Sequence, residues 1–275
     1  GMERGGYTPS TVFHDEGSFQ IEGEGPVWKD WKTGGHGDID LVQAIVESCN
    51  TCFYQVGHAL DEQDESILPS FARAFGLGKP TGIVGVAEEP GLVPDGAWKK
   101  EQFDGTELEV WYPGDAVNMA IGQGYLLATP LQIVRLYAAI ANGGTLYQPL
   151  LVKRIVGADG REVEVFEPKP EGSLPVSPAN LDAIRDGLAG VTTDEKGTAL
   201  RAFQGFPIHV AGKTGTAEAP PNEPHAWFAA YAPADDPQVA VVVVLDHRGQ
   251  GSSVAAPVVR QILAAYFGIE DTPPP

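Results

Sequence analysis

Lys213-Thr214-Gly215-Thr216 stands between three β-type runs, Ile208–Ala211, His225–Ala232 and Gln238–Asp246, and this part of the chain decides the fold class. The last run, rich in valine, is bounded by Pro237 and by Gly249, the composition and punctuation of a strand. Short turns join the runs, one of them Pro233-Ala234-Asp235-Asp236-Pro237. These features predict an antiparallel meander, with Lys213 at the end of its first strand. A closing helix over Ser253–Phe267 follows from apolar residues at Val254, Val258, Ile262 and Tyr266.

Upstream, helical periodicity dominates. Ile39, Val42, Ile45 and Val46 recur at helical spacing, and Phe53, Val56 and Leu60 continue the pattern beyond a polar break at Ser48–Thr51. Asn50 reads there as a helix N-cap. Ser66–Phe75 predicts a short helix stopped by Gly76. Thr129-Pro130-Leu131-Gln132 combines an N-cap threonine, proline at the first position and a glutamine closing a capping box. Leu150–Val156 and Glu162–Phe166 read as a hairpin around Gly157–Gly160, and Ser177-Pro178 opens a helix to Leu188. Residues 1–37 read as irregular loop, and so does Gly82–Pro113. Helices followed by a meander and a final helix predict an α+β fold, an antiparallel sheet flanked by helices. Residues 1–268 form the domain and 269–275 a frayed tail.

The 275 residues carry 18 Lys+Arg against 37 Asp+Glu, a net charge of −19. That balance argues against nucleic acid, which needs a basic stripe, and against anionic lipid surfaces. With 43% hydrophobic residues the chain can build a core. No apolar run is long enough to span a bilayer, and no signal peptide is evident. Gly1 ahead of Met2 reads as a scar of tag cleavage. The two cysteines, Cys49 and Cys52, do not make a disulfide framework. Their C-x-x-C spacing lacks the strand–loop–helix setting of a redox motif.

Two polar triplets carry candidate chemistry. In Lys213-Thr214-Gly215-Thr216 the lysine supplies positive charge, the glycine leaves room for an extended substrate beside the strand, and the hydroxyls suit a carboxylate or carbonyl. Alone, it could equally be a surface turn. Ser48-Cys49-Asn50 offers a hydroxyl for proton relay and an amide to hold a substrate amide. Gly122 and Gly124 suggest a phosphate loop, but no Gly-Lys-Ser/Thr follows them, and nucleotide binding is rejected. Trp28, Trp31, Trp98 and Trp111 suit a glycan groove or simple packing.

Taken together, Ser48-x-Asn50 and the distant Lys213-Thr214-Gly215 resemble two of the three signatures of penicillin-interacting serine enzymes. Trp111–Asp115, Asn118, Ile121–Gly124, Thr129-Pro130, Lys213–Ala217 and His225–Phe228 extend that resemblance to the class B penicillin-binding proteins of the penicillin-binding protein 2 type. It runs from about Asp15 to Phe267. The resemblance implies a serine β-lactamase-like transpeptidase fold and peptidoglycan cross-linking, with acyl transfer from a D-alanyl-D-alanine stem peptide through a serine ester. Peptidoglycan stem peptides and β-lactams are the implied partners. Ser48 would serve the proton relay, Asn50 the substrate side-chain amide, and Lys213 the field at the leaving group. Thr214, Gly215 and Thr216 would contact substrate, Thr216 its carboxylate. The implied location is the extracytoplasmic face of the bacterial inner membrane.

One departure is large. The family's nucleophile lies in Ser-x-x-Lys, and no serine here has lysine three residues on. Thr193-Asp194-Glu195-Lys196 has the spacing with threonine, in a stretch that lies far from the nucleophile helix in relatives. The sequence therefore reads as the C-terminal part of a transpeptidase domain, without its N-terminal strands and nucleophile helix, and is expected to be inactive. Self-association through uncovered apolar surface is expected with it. The alternative is a non-catalytic scaffold, a pseudoenzyme that binds muropeptide or a protein partner.

Asp15, Asp30, His36 and Cys49 form a plausible four-coordinate zinc set, and the resemblance implies a structural zinc with ligands of this type and order. A buried free cysteine, a satisfied histidine and two solvated aspartates are the competing reading. His14 could substitute for Asp15, whereas His58, His209 and His247 show no comparable partners in the sequence.

Overall fold

The apolar alternation of the C-terminal third builds a three-stranded antiparallel sheet. The structure, a computed structural model, describes residues 1–22 and 25–271. In chain order the N-terminal part comprises β1 (Val12–Asp15), β2 (Ser18–Phe19), β3 (Trp28–Lys29), β4 (Gly37–Asp40), α1 (Leu41–Val46), α2 (Asn50–Gln63) and α3 (Ile67–Ala74). Next come α4 (Gly96–Gln102), α5 (Pro113–Ala120), α6 (Pro130–Ala141), β5 (Thr145–Tyr147), β6 (Arg154–Val156), β7 (Glu162–Val165) and β8 (Pro170–Ser173). The chain then forms α7 (Pro178–Thr193), α8 (Leu200–Phe203), β9 (Ala211–Ala219), β10 (Asn222–Ala232), β11 (Val239–Leu245) and α9 (Ala256–Phe267). A π-turn over Gly251–Ala255 leads into α9.

The sheet order is β11-β10-β9. Its faces alternate as strand geometry demands. Ala226, Phe228 and Ala230 pack with Phe203, Val259 and Leu263 of α8 and α9. Tyr231 and Ala211 face the other way, toward Ile140 of α6 and Leu181 and Leu188 of α7. A further core gathers Phe13, Ile39, Leu41, Val56 and Leu60 around the β1–β4 ribbon, α1 and α2. Helices thus cover both faces of an antiparallel sheet, the expected α+β layering. Among the described residues no helix is long and apolar enough to cross a membrane.

Several local expectations change. Residues 1–37 are not plain loop, because four short strands organise them into two ribbons. Gly82–Pro113 contains α4, hidden by its Gly and Pro content but capped by Asp95, which accepts the Trp98 N–H at 2.8 Å. The Lys213 segment lies within β9 rather than at a strand end, since β9 begins at Ala211 and runs to Ala219. Helix α7 continues five residues beyond Leu188, to Thr193. Helix α6 and the β6–β7 hairpin form where the capping box and turn residues put them. Asp271, in the stretch expected to fray, accepts two hydrogen bonds from Arg260, at 2.7 and 2.6 Å. The last four residues of the tail lie outside the described residues.

Candidate active site

The turn between α1 and α2 holds Ser48 with φ +57°, a left-handed conformation that costs a residue with a Cβ. Helix α1 ends there: the Cys49 N–H bonds back to the Ala44 carbonyl at 3.0 Å. The Trp31 indole N–H clamps the turn from outside, donating to the carbonyls of Glu47 (3.2 Å) and Ser48 (3.0 Å). Cys49, not Asn50, is the N-cap of α2, because its sulfur accepts the Cys52 N–H at 3.1 Å. Asn50 is instead the first helical residue. Its N–H, freed by the helix start, is taken by Asp30 Oδ2 at 2.7 Å.

Across from this turn runs β9. Lys213 pairs in register with Ala229, Thr214 with Phe228, Gly215 with Trp227 and Thr216 with Ala226 of β10. The other edge of β9 has no strand partner among the described residues. The Lys213 ammonium crosses the gap and donates to Ser48 Oγ at 2.5 Å, joining positions 165 residues apart. It also donates to the Thr214 carbonyl at 3.2 Å. Burial of that ammonium lowers the Lys213 pKa from 10.5 to about 8.

A cleft of about 1060 Å³ separates the two elements, and Ser48, Asn50, Lys213, Thr214, Gly215 and Thr216 all line it. The sequence-derived residues therefore meet in one place. Gly215 has an inward reason to be glycine as well as an outward one: a Cβ there would stand 3.0 Å from the Trp227 Cβ.

Further residues of this cleft had no role assigned from the sequence, although Asn118 and Ile121–Gly124 were among the motifs that carried the resemblance. Thr198 shares a hydrogen bond of 2.8 Å between its hydroxyl and that of Thr214. The Gln123 side-chain amide donates to the Thr216 carbonyl at 3.1 Å, so the Gly122–Gly124 turn is a wall of the cleft. Asn118 also lines it, and its side-chain oxygen accepts the Trp28 indole N–H at 3.1 Å. Helix α5 is anchored from behind by a buried Lys99–Asp115 ion pair. The motif Ile121–Gly124 was the available signal for Gln123, while Thr198 had none. Of the four tryptophans weighed for a groove, Trp31 is 59% exposed and lines the cleft. Trp28 packs over Gly114, Trp111 bonds Asp61 at 2.9 Å, and Trp98 packs on Phe103 and Tyr125.

Behind the Ser48 turn, Asp15, Asp30, His36 and Cys49 each offer a ligand atom, all within 4.8 Å of one another. The donor set suits a zinc-type ion, and its outer contacts are those that orient metal ligands. His36 Nδ1 lies 2.9 Å from Glu47 Oε2, leaving Nε2 toward Asp30 at 3.2 Å. Asp15 accepts the backbone N–H groups of Gly17 and His36, both at 2.7 Å. Burial would raise the Glu47 pKa, but bonds from His36 and Gln43 and the charge of Lys196 outweigh it, bringing it down to about 2. His14 is not part of the group, since it pairs with Asp38 at 2.6 Å on the surface.

One atom does not fit. Cys49 is joined to Cys52 in a disulfide, against the expectation of a free cysteine. The start of α2 brings their Cα atoms to 5.5 Å, within disulfide reach. The four-ligand set is complete only when that bond is open and Cys49 carries a thiolate. The absence of partners expected for His247 is also overturned: it clusters with His225 and Asp246.

The family described as the penicillin binding protein transpeptidase domain matches residues 1–264. The chain is 36% identical over 275 residues to the peptidoglycan D,D-transpeptidase MrdA of Haemophilus influenzae, covering 94% of this chain and 41% of that protein. To the MrdA of Escherichia coli strain K12 it is 31% identical over 277 residues, 95% of this chain and 42% of the relative. It thus spans less than half the length of these relatives. Among solved structures, Pseudomonas aeruginosa PBP2 in complex with WCK 5153 superposes with a TM-score of 0.85 at 35% identity, covering 98% of this chain and 56% of that one. PBP2 from Helicobacter pylori, in its complex with MreC, gives 0.80 at 30% identity, with 94% and 46% covered.

Proposed function

The chain belongs to the penicillin-binding protein transpeptidase family, and we propose from that premise that its cleft holds the D-alanyl-D-alanine end of a peptidoglycan stem peptide. The observation that carries the proposal is the Lys213–Ser48 hydrogen bond of 2.5 Å, made inside a cleft that Asn50 and Thr216 share. An extended peptide laid along the free edge of β9 would add a strand, with main-chain bonds giving affinity. Its terminal carboxylate would meet the Thr216 hydroxyl and the field of Lys213. Asn50 would hold a side-chain amide.

The reaction needs a hydroxyl that adds to the penultimate carbonyl while the terminal D-alanine leaves with its amine protonated. Lys213 and Ser48 are placed to pass a proton between them. Lys213, with its pKa near 8, can act as both donor and acceptor around neutrality. No serine among the 275 residues precedes a lysine by three positions, so these residues supply the cradle and the relay but not the Ser-x-x-Lys nucleophile. We infer the extracytoplasmic face of the inner membrane as the location of this chemistry, supported by the resemblance to the MrdA proteins.

We further propose that Asp15, Asp30, His36 and Cys49, in the dithiol form, hold a zinc ion of structural type. Bound there, the ion would supply rigidity, tying the Asp30 and Cys49 contacts at the start of α2 to the Ser48 turn.

Incubation of the chain with a fluorescent penicillin tests the functional reading. Saturable binding that competes with unlabelled β-lactam and leaves no labelled band after denaturation is expected. A stable covalent band would overturn the assignment of roles, and no competable binding would overturn the cradle.

A further inference from the structure

A second group of metal-ligating side chains lies beyond the end of the cleft. Strand register puts Ala226 of β10 opposite Leu245 of β11, so His225 and Asp246 are the next residues outward on the two strands. His247 follows with φ +50°. Its Nδ1 lies 2.9 Å from the Glu223 carbonyl. A carbonyl only accepts, so Nδ1 carries the proton, and in the neutral ring Nε2 keeps its lone pair, 3.8 Å from Asp246 Oδ1. A backbone carbonyl fixing the tautomer in this way is the usual support of a metal-binding histidine.

His225 supplies a second imidazole. Its Nδ1 lies 2.5 Å from an Asp246 carboxylate oxygen and 3.3 Å from the His247 backbone nitrogen. The carboxylate only accepts, so without an ion a proton on Nδ1 bridges the pair, and a bound cation would take the place of that proton. The two imidazole rings are 4.4 Å apart, and one ligand atom from each of the three residues lies within 4.8 Å of the others.

We propose that His225, Asp246 and His247 bind a divalent transition-metal ion of the zinc class. Two imidazoles and a carboxylate are the donor set such an ion favours. Bond lengths of about 2.0–2.2 Å place ligands about 3.4 Å apart in a tetrahedron. The present separations from Asp246 Oδ1 are 2.5 Å to His225 Nδ1 and 3.8 Å to His247 Nε2, so the exposed side chains of Asp246 and His247 would have to turn to reach that spacing. Three protein donors leave a position open to water. The loop is already folded for this, because the N–H groups of Arg248 and Gly249 bond the Pro224 carbonyl at 3.1 and 3.0 Å. The ion would fasten the 246–250 loop to β10 one residue from the pair Thr216–Ala226, and Gln250 at the end of that loop lines the cleft. Unlike the cluster at Cys49, this site contains no sulfur and needs no reduction.

The test is zinc competition against a chromophoric chelator, using the metal-stripped 275-residue chain without reductant, so that the Cys49–Cys52 disulfide stays closed. One zinc per chain is expected, and Asp30→Asn should leave it unchanged. Asp246→Asn and His247→Gln should each weaken it at least about 10–100-fold, the scale that even an outer-shell partner carries. Both altered side chains are exposed, and near-ultraviolet circular dichroism of the metal-free variants should match the parent chain. Imidazole nitrogen shifts of His225 and His247 should move on zinc addition. Absence of zinc binding, equal binding by both variants, or loss in Asp30→Asn would reduce the group to a histidine–aspartate ion pair and overturn the proposal.

Discussion

Lys213→Met replaces the ammonium facing Ser48 with an apolar group of similar length. The drop of the lysine pKa from 10.5 to about 8 means that the folded chain at pH 7 carries about 3 kcal/mol of ammonium desolvation that the unfolded chain does not, at about 1.4 kcal/mol per pH unit. The hydrogen bond to Ser48 Oγ offsets about 1 kcal/mol of the gain from removing it. Lys213→Met should therefore stabilise the chain by about 2 kcal/mol at neutral pH while abolishing ligand binding, a trade-off expected where function requires a strained group. The sign in alkali is opposite. Between pH 8 and 10.5 the unfolded lysine still holds a proton that the folded one has lost, so the parent chain gains stability as pH rises through that window. Tyr54 and Tyr231, pushed up to about 12 by burial, contribute equally to both proteins and cancel. Urea denaturation of the pair near pH 7 and near pH 10.5 measures the difference. The advantage of the variant should shrink by about 3 kcal/mol and change sign. A variant less stable at neutral pH, or a gap independent of pH, would refute the reasoning.

Opening the Cys49–Cys52 disulfide should create a zinc site that depends on Asp30, His36 and Cys49. Elemental analysis of zinc-loaded protein should find one zinc more per chain in Cys52→Ser without reductant than in Cys49→Ser under any conditions; equal zinc in the two variants would contradict the ligand set. Gly251→Ala would put a Cβ 2.1 Å from the Trp227 carbonyl oxygen and 2.4 Å from that of Gly215. Backbone cannot yield as a side chain can, so a loss of about 3 kcal/mol and about 6–12 °C in Tm is expected, and an unchanged melting curve would count against the close seating of the π-turn on the sheet.

Local signals were legible in the sequence where one element carried them whole. Thr129-Pro130-Leu131-Gln132 contains its own cap, and Gln132 Oε1 does accept the Thr129 N–H at 2.9 Å. The valines of β11 and the turn residues of the β6–β7 hairpin are equally self-contained. The bounds of β9 were harder to read, because Gly212, Thr214, Gly215 and Thr216 give it little apolar alternation at the cleft edge. Helix α4 was obscured by the glycines and prolines around it, with only Asp95 marking its start. The meeting of Ser48 and Lys213 was legible only through family resemblance, since no local pattern links residues so far apart. The same limit hid Thr198, which enters the cleft through tertiary packing alone, and the His225–Asp246–His247 group, which exists through strand register. The disulfide was a local possibility whose geometry depended on where α2 begins, and Cys49 rather than Asn50 marks that start.

The central claim is that residues 48–50 and 213–216 form one ligand cradle. Backbone amide NMR of the isotopically labelled chain during titration with a peptide ending in D-alanyl-D-alanine tests it most directly. Both segments should shift together along one saturable curve, and the shifts should vanish in Lys213→Met. Silence in both segments, or movement in one without the other, would contradict the account.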